Sequence, residues 1–266
     1  MSQLNNPLDI YKLLPKSNCR QCRLPTCLAF AAAVIQGQKR LKECPCLEKT
    51  LIEQLEGQIV RQKSQEDQLE QTLAQLKEKI AGVDFLSAEQ RLGASLSGGK
   101  LTLRCLGKNF TVDSRGNITS DCHVITWITI PLLNYILFCP GREASGEWVS
   151  FRELKGGTRF SPLYDQRCEK PLKQFADTRT ELFEDVLHIF GGKPAPEKFS
   201  ADISLVLHPL PRVPVLISYS KPENNFQSKF NILFDTSVEE NLGIDWVYML
   251  MGGMVRMFEK IASRHG

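Results

Sequence analysis

The chain has little of what marks several common functional classes. The segment from Val124 to Phe138, VITWITIPLLNYILF, is apolar but 15 residues long. That is short of the ~20 residues needed to cross a bilayer, and Thr126, Thr129, Pro131 and Asn134 interrupt it. A buried helix is expected there, and no membrane span. A net charge of only +3, from 33 Lys+Arg against 30 Asp+Glu, lacks the basic excess of a nucleic-acid binder, so no nucleic-acid partner is expected. The paired glycines Gly98-Gly99, Gly156-Gly157 and Gly252-Gly253 belong to neither GxxxxGK[ST] nor GxGxxG, and no GxSxG or HExxH occurs. These absences lower the expectation of a nucleotide-dependent enzyme or a standard hydrolase and leave open whether the chain is an enzyme. The start, MSQLNNPLDIYKLL, shows no basic segment followed by an apolar run. A secretory signal is therefore not expected, and a reducing, cytoplasmic setting is.

Cysteine, by contrast, is plentiful and uneven. Of nine cysteines, Cys19, Cys22, Cys27, Cys44 and Cys46 crowd near the N-terminus, while Cys105, Cys122, Cys139 and Cys168 are scattered. In a reducing compartment such a cluster reads as metal ligands or redox groups rather than disulfides. The remaining composition, 42% hydrophobic and 24% charged, is that of a globular protein.

Three regions follow from the composition: a cysteine module at 1–48, a helical or coiled-coil connector at 49–86, and a mixed domain at 87–266. In the connector Ile52, Leu55, Ile59, Gln62, Glu66, Leu69, Leu73, Leu76 and Ile80 step by threes and fours, an apolar seam interrupted at Gln62 and Glu66. It predicts one long helix, locally weakened at Gly57, whose seam either pairs with a second copy in a homodimer through 49–81 or packs back on the same chain. Beyond it, Lys100–Leu106 and Asn109–Asp113 read as strands with a turn at 114–117, and helices are expected at 122–138 and 171–190. Strands are expected at 203–208, 213–219 and 230–234, and a closing helix at 244–261. Without regular βαβ alternation the expected class is α+β.

The pattern that carries chemistry is Cys19-x2-Cys22-x4-Cys27-x16-Cys44-Pro45. Four soft, anionic thiolates suit a [4Fe–4S] cluster, and the Cys-Pro ending matches ferredoxin motifs. Leu28, Ala31, Val34 and Ile35 lie at helical spacing, and a helix starting just after Cys27 would aim its positive end at an anionic cluster. Structural zinc is the competing reading, but it usually takes two short Cys-x2–4-Cys knuckles and only one is present. Cys46 is a fifth cysteine nearby, an alternative ligand, a redox-active thiol or a bystander; bystander is favoured because four ligands already complete the cluster. Seven basic residues (Lys12, Lys16, Arg20, Arg23, Lys39, Arg40, Lys42) against three acidic ones (Asp9, Glu43, Glu48) concentrate positive charge in 1–48. That charge compensates a cluster and could steer an acidic redox partner.

The stretch IYKLLPKSNCRQCRLPTCLAFAAAVIQGQKRLKECPCL closely resembles the four-cysteine [4Fe–4S] module of the corrinoid iron–sulfur protein large subunit, and is similar to that of the B subunit of the ion-translocating Rnf complex. The resemblance places the cluster ligands on Cys19, Cys22, Cys27 and Cys44. It departs at Arg23, where these modules commonly have Gly. Further on, GEWVSFRELKGG, DISLVLHPLPRVPVLISY and FNILFD resemble an uncharacterised α+β domain family found beside this module in anaerobes. The resemblance implies an anaerobic electron-transfer or redox accessory protein acting with a redox partner protein. Two alternatives stay open: a reductase or methyl-transfer accessory of corrinoid chemistry, and an Fe–S redox sensor. Among residues outside the module, His123 with Cys122 and Cys139 could form a second metal site, Cys168 could be a reactive thiol, His188 could cap its helix, and His208 could line a cleft with Asp202 or Arg212.

Overall fold

A computed structural model describes residues 4–59, 65–122, 124–223 and 226–264. By their contacts the residues form two compact units, Met1–Thr72 and Leu73–Gly266.

The first unit is helical. Asn6 caps α1 (Pro7–Leu13), with its side chain accepting from Leu8 N and Pro7 at the first helical position, where its missing N–H costs nothing. Thr26 caps α2 (Cys27–Ile35) by accepting from Ala29 N at 3.0 Å. Burying Ile10, Leu14, Phe30, Ala31, Val34, Ile35 and Leu41 builds a small core that also takes in Cys27 and Cys44. The next helix, α3 (Lys49–Glu56), ends at Gly57, and Ile52, Leu55 and Ile59 pack against that core. The expected single long helix is thus two. It stops at Gly57, Ile59 forms an isolated parallel bridge with Leu4, and α4 resumes at Gln65–Ile80. Gly has the weakest propensity of any residue but Pro in a helix interior, and the apolar core beside Ile59 outcompetes continuation. Gln62 of the seam lies outside the described residues. The division between units falls within α4, and in its second part Leu76 and Ile80 are buried. Leu69 and Leu73, earlier in the helix, are only half-buried.

The second unit is α+β, as expected. Asp84 caps α5 (Phe85–Leu92). Strands β1 (Ser95–Ser97), β2 (Lys100–Cys105), β3 (Lys108–Val112) and β4 (Ile118–Ser120) form an antiparallel meander. Its alternating burial follows the two-residue period of a strand: Leu101, Leu103 and Cys105 point inward. Helix α6 (Thr126–Phe138) starts four residues later than expected, with Ile125 before it in extended backbone, and β4 (Ile118–Ser120) was not foreseen. A second antiparallel sheet has the order β5 (Trp148–Ser150), β9 (Lys229–Asp235), β8 (Val213–Ser220), β7 (Ile203–Leu210), β6 (Lys193–Pro194).

The helix expected over 171–190 is two, preceded by a short helix α7 (Ser161–Tyr164) and a π-helical turn at Asp165–Glu169. Helices α8 (Lys170–Thr178) and α9 (Thr180–Ile189) separate at Arg179, whose φ of −146° is not helical. Thr178 and Thr180 flank that break and donate to the carbonyls of Gln174 and Ala176, a pattern that bends helices. After α10 (Val238–Asn241), the long α11 (Ile244–Arg264) lies against α6. Gly253 permits this: a Cβ there would stand 2.2 Å from the Trp127 ring.

Candidate metal centre

The cysteine loop is wound by an unusual backbone. Lys16, Asn18, Arg20 and Arg23 all have positive φ, 58°, 49°, 62° and 64°. Non-glycine residues reach this left-handed region at a cost of order 1 kcal/mol each, and Arg23 is the position where the resembling modules carry Gly. The arginine therefore adopts the conformation a glycine would favour, and the loop keeps its shape. Residues alternating into this region turn successive backbone N–H groups toward one side, a concavity that suits anions.

Asn18 holds the loop to α2. Its carboxamide oxygen accepts from Cys27 N at 2.8 Å, and its own N–H points at Cys27 Sγ at 3.4 Å. A tight turn, Arg23 N to Arg20 O at 2.9 Å, carries Cys22. The return leg is a 3₁₀ turn, Leu41–Glu43, which delivers Cys44 with its N–H on Leu41 O. Glu43 is pinned by Lys39 at 2.6 Å and accepts from Arg40 N at 2.9 Å. The Lys39 hydrogen bond, then that of Arg40 N–H, holds its carboxyl below the usual range. The carboxylate next to Cys44 is thus charge-compensated.

Cys19, Cys22, Cys27 and Cys44 all line one small hollow of about 10 Å³, together with Asn18 and Pro45. Cys27 and Cys44 are buried, Cys22 is half-buried and Cys19 is exposed. The Gln21 backbone N–H and the Ser17 side chain hydrogen-bond to the Cys19 thiol and lower its pKa. Cys27 opens α2, so the helix presents its positive end to the hollow. Four thiols, inward N–H donors and a helix N-terminus fit a thiolate-bound, negatively charged group. Among the described residues no three His, Cys, Asp or Glu groups converge as ligands of a single ion.

Two features of this region had no sequence argument. Asn18 links loop and helix, and only its position just before the first cysteine hinted at it. Cys46 stands beside Cys19, with their sulfurs 3.9 Å apart.

The other cysteines are separate. Cys105 is buried in β2, and burial raises its pKa. Cys122 is exposed and contacts Ser120 Oγ at 3.3 Å. His123 lies outside the described residues. Cys139 is buried and donates to Asn241 Oδ1 at 3.3 Å. Cys168 is buried in the π-helical turn and pushed up to about 12, chiefly by burial. A neutral, enclosed thiol is not the reactive group that sequence allowed. His188 faces Glu184 at 4.0 Å on an exposed helix side. Asp202 accepts from Lys221 N, and Arg212 pairs with Glu143 at 2.5 Å and donates to Arg91 O. Neither of these is paired with His208.

Comparisons with known proteins fall on the same two regions. Residues 14–46 match the family model described as an Fe–S cluster. Over 53 residues the chain is 40% identical to the acetyl-CoA decarbonylase/synthase complex subunit gamma of Methanocaldococcus jannaschii, covering 20% of this chain and 11% of that one. Over 47 residues it is 45% identical to subunit gamma 1 of Methanosarcina thermophila, covering 18% and 10%. Over 38 residues it is 55% identical to the corrinoid/iron–sulfur protein large subunit of Moorella thermoacetica, covering 14% and 8%. The chain thus spans about a tenth of the length of these curated relatives. No solved structure matches. Residues 84–257, well over half of the sequence, match a family model whose description names no activity. On that match the chain belongs to the family described as a domain of unknown function, DUF3786.

Proposed function

We propose that Cys19, Cys22, Cys27 and Cys44 bind a [4Fe–4S] cluster and that the protein is a one-electron redox accessory of anaerobic metabolism. The carrying observation is the shared hollow: all four cysteines border it, and its wall offers N–H donors and a helix N-terminus rather than carboxylates. The cluster, when bound, supplies one-electron storage at a potential set by its surroundings. The chain's residues do the rest. Asn18 fixes Cys27, the Glu43–Lys39 pair fixes the approach to Cys44, and the inward N–H groups stabilise negative charge on sulfur. In this reading residues 1–48 are the redox module, 49–86 the connector and 87–266 the part that meets a ligand or partner. The excess of basic residues in 1–48 favours a redox partner with an acidic docking face.

Iron and inorganic sulfide analysis of anaerobically purified protein, with low-temperature EPR after reduction, tests this reading. Equimolar iron and sulfide with a cubane signal is the expected result. A colourless protein holding one zinc and no sulfide overturns it.

A second reading is favoured by the names of the matching relatives, a corrinoid/iron–sulfur protein and gamma subunits of the decarbonylase/synthase complex. In it the cluster serves reduction in corrinoid chemistry, with the cofactor held outside the short matching region. Retention of a cobamide by the reconstituted protein separates the two readings.

A further inference from the structure

Strand β7 carries Pro209 in its interior, and proline, lacking an N–H for the ladder, is tolerated in a sheet at edges or bulges. Pairing of β7 with β8 is regular from Ile203 to Leu207, then shifts and resumes where Leu210 meets Val213. His208 and Pro209 occupy the irregular stretch, and such bulges re-aim a side chain. The carbonyl of His208 accepts from Leu106 N at 2.9 Å, which ties the β2–β3 turn to this point. Leu106 and Gly107 both take positive φ there, 46° and 71°. Gly107 in turn lies on the loop after α9: a Cβ on it would stand 3.3 Å from Gly191 N. Three segments distant in sequence therefore converge at the bulge.

Between them lies a groove of about 490 Å³, a volume typical of small-molecule sites. Its glycines, Gly107, Gly191 and Gly192, let the backbones close in, and its functional side chains are Arg104, Lys193 and His208. No carboxylate lines it. Among the described residues, none of these three side chains has a hydrogen-bond or ion-pair partner. Two cationic side chains and no lining carboxylate make the groove electropositive and short of an anion; burial, and then the charge of Lys193, lowers the His208 pKa.

We propose that this groove binds a small ligand bearing a compact oxyanion, a phosphate monoester or a polycarboxylate, gripped by Arg104 and Lys193 and contacted by His208. Guanidinium suits planar or tetrahedral oxyanions through paired N–H donors, and the lysine adds a point charge. The site is independent of the cysteines and gives the DUF3786 region a ligand of its own.

Calorimetric titration of the full chain with inorganic phosphate and, separately, with citrate tests the proposal, with chloride holding ionic strength constant. Saturable binding of at least one is expected, and the tighter of the two assigns the ligand class. Arg104→Ala and Lys193→Ala should each weaken binding about tenfold or more, the loss of one charge-assisted contact. Lys260→Ala, at the far end of α11, should leave binding unchanged. Arg104 and Lys193 are exposed, so both variants should melt like the parent. A saturable isotherm that survives both substitutions, or no saturable binding of either anion, overturns the proposal.

Discussion

In the Leu73–Gly266 unit, buried side chains are mostly apolar and sit on regular strands and helices; Trp148 Nε1, Tyr164 Oη and Ser237 Oγ are buried without a hydrogen-bond partner among the described residues, but two buried polar side chains are held by several hydrogen bonds each. Asp235, fully buried, accepts from Ser145 N and Oγ, Gly146 N and Ser237 N at 2.7–3.0 Å. Asn241 bonds the carbonyls of Arg142 and Arg212 and accepts from Arg142 N. In the Met1–Thr72 unit the core is nine residues, two of them cysteines, and four non-glycine residues near the ligand positions carry left-handed backbone. One unit is organised by burial, with Asp235 and Asn241 as hydrogen-bonded anchors inside it. The other holds a strained loop around thiols, an arrangement that metal–thiolate bonds would stabilise, since binding free energy at such sites is also folding free energy.

The largest expected effect breaks the comparison at that point. Stripping iron with a chelator, or substituting Cys27→Ser with Cys44→Ser, should collapse amide-exchange protection across residues 19–44 while leaving protection in β7 and β8 intact. Uniform loss in both units, or none in either, would show that the two are not stabilised separately.

Next comes the buried carboxylate. Asp235→Ala leaves several N–H and O–H donors without an acceptor and should cost about 2–4 kcal/mol, read as a fall in the melting temperature of the large unit. Burial alone would raise the Asp235 pKa, but the hydrogen bonds from Ser237, Ser145 and Gly146 bring it below the usual value. A lowered native pKa means stabilisation that is full above the unfolded value near ~3.9 and lost as pH falls through the native one. Asp235→Asn should therefore flatten the acid limb of the large unit's stability below about pH 4. An acid limb identical to the parent's would assign acid sensitivity to other groups.

How much of this was readable beforehand depended on how local its cause was. The α2 helix after Cys27, the strands around Leu103 and Leu216, and α11 follow from short-range periodicity, so sequence located them. The breaks at Gly57 and Arg179 did not follow. The first is settled by Ile59 meeting Leu4 across the chain, the second by threonine hydroxyls turning back on carbonyls. The spacing of the four cysteines was local and legible, whereas the approach of Cys46 to Cys19 depends on two loops 27 residues apart. The His208 groove combines residues from three segments. Its one local sign was His208 at the expected strand end before Pro209, read as able to line a cleft.

A smaller effect sharpens the account of loop strain. Arg23 has a φ of 64°, which glycine adopts freely but which costs an arginine of order 1 kcal/mol. Arg23→Gly relieves that cost and adds unfolded-state entropy of similar size, so the net gain in the small unit should be within about 1 kcal/mol. The same substitution removes one positive charge near the proposed cluster and should lower its potential slightly. A variant that loses the cluster would show that the arginine side chain, not the backbone conformation, matters at this position.

The smallest expected effect concerns Cys46. Both it and Cys19 are exposed, and their sulfurs lie 3.9 Å apart, so proximity alone does not choose between them. Two observations do. Cys19, unlike Cys46, borders the small hollow with the other three cysteines, and its sulfur receives hydrogen bonds from Gln21 and Ser17, the donors expected around a thiolate ligand. Cys46 instead lines the open groove between the end of α1 and α3. Cys46→Ser should therefore leave the iron and sulfide content and the EPR spectrum of the reduced protein unchanged, while Cys19→Ser should reduce both. The reverse pattern would move the first ligand to Cys46. Losses of equal size in both variants would mean that either sulfur can occupy that corner, with the loop at Cys19 free to exchange them.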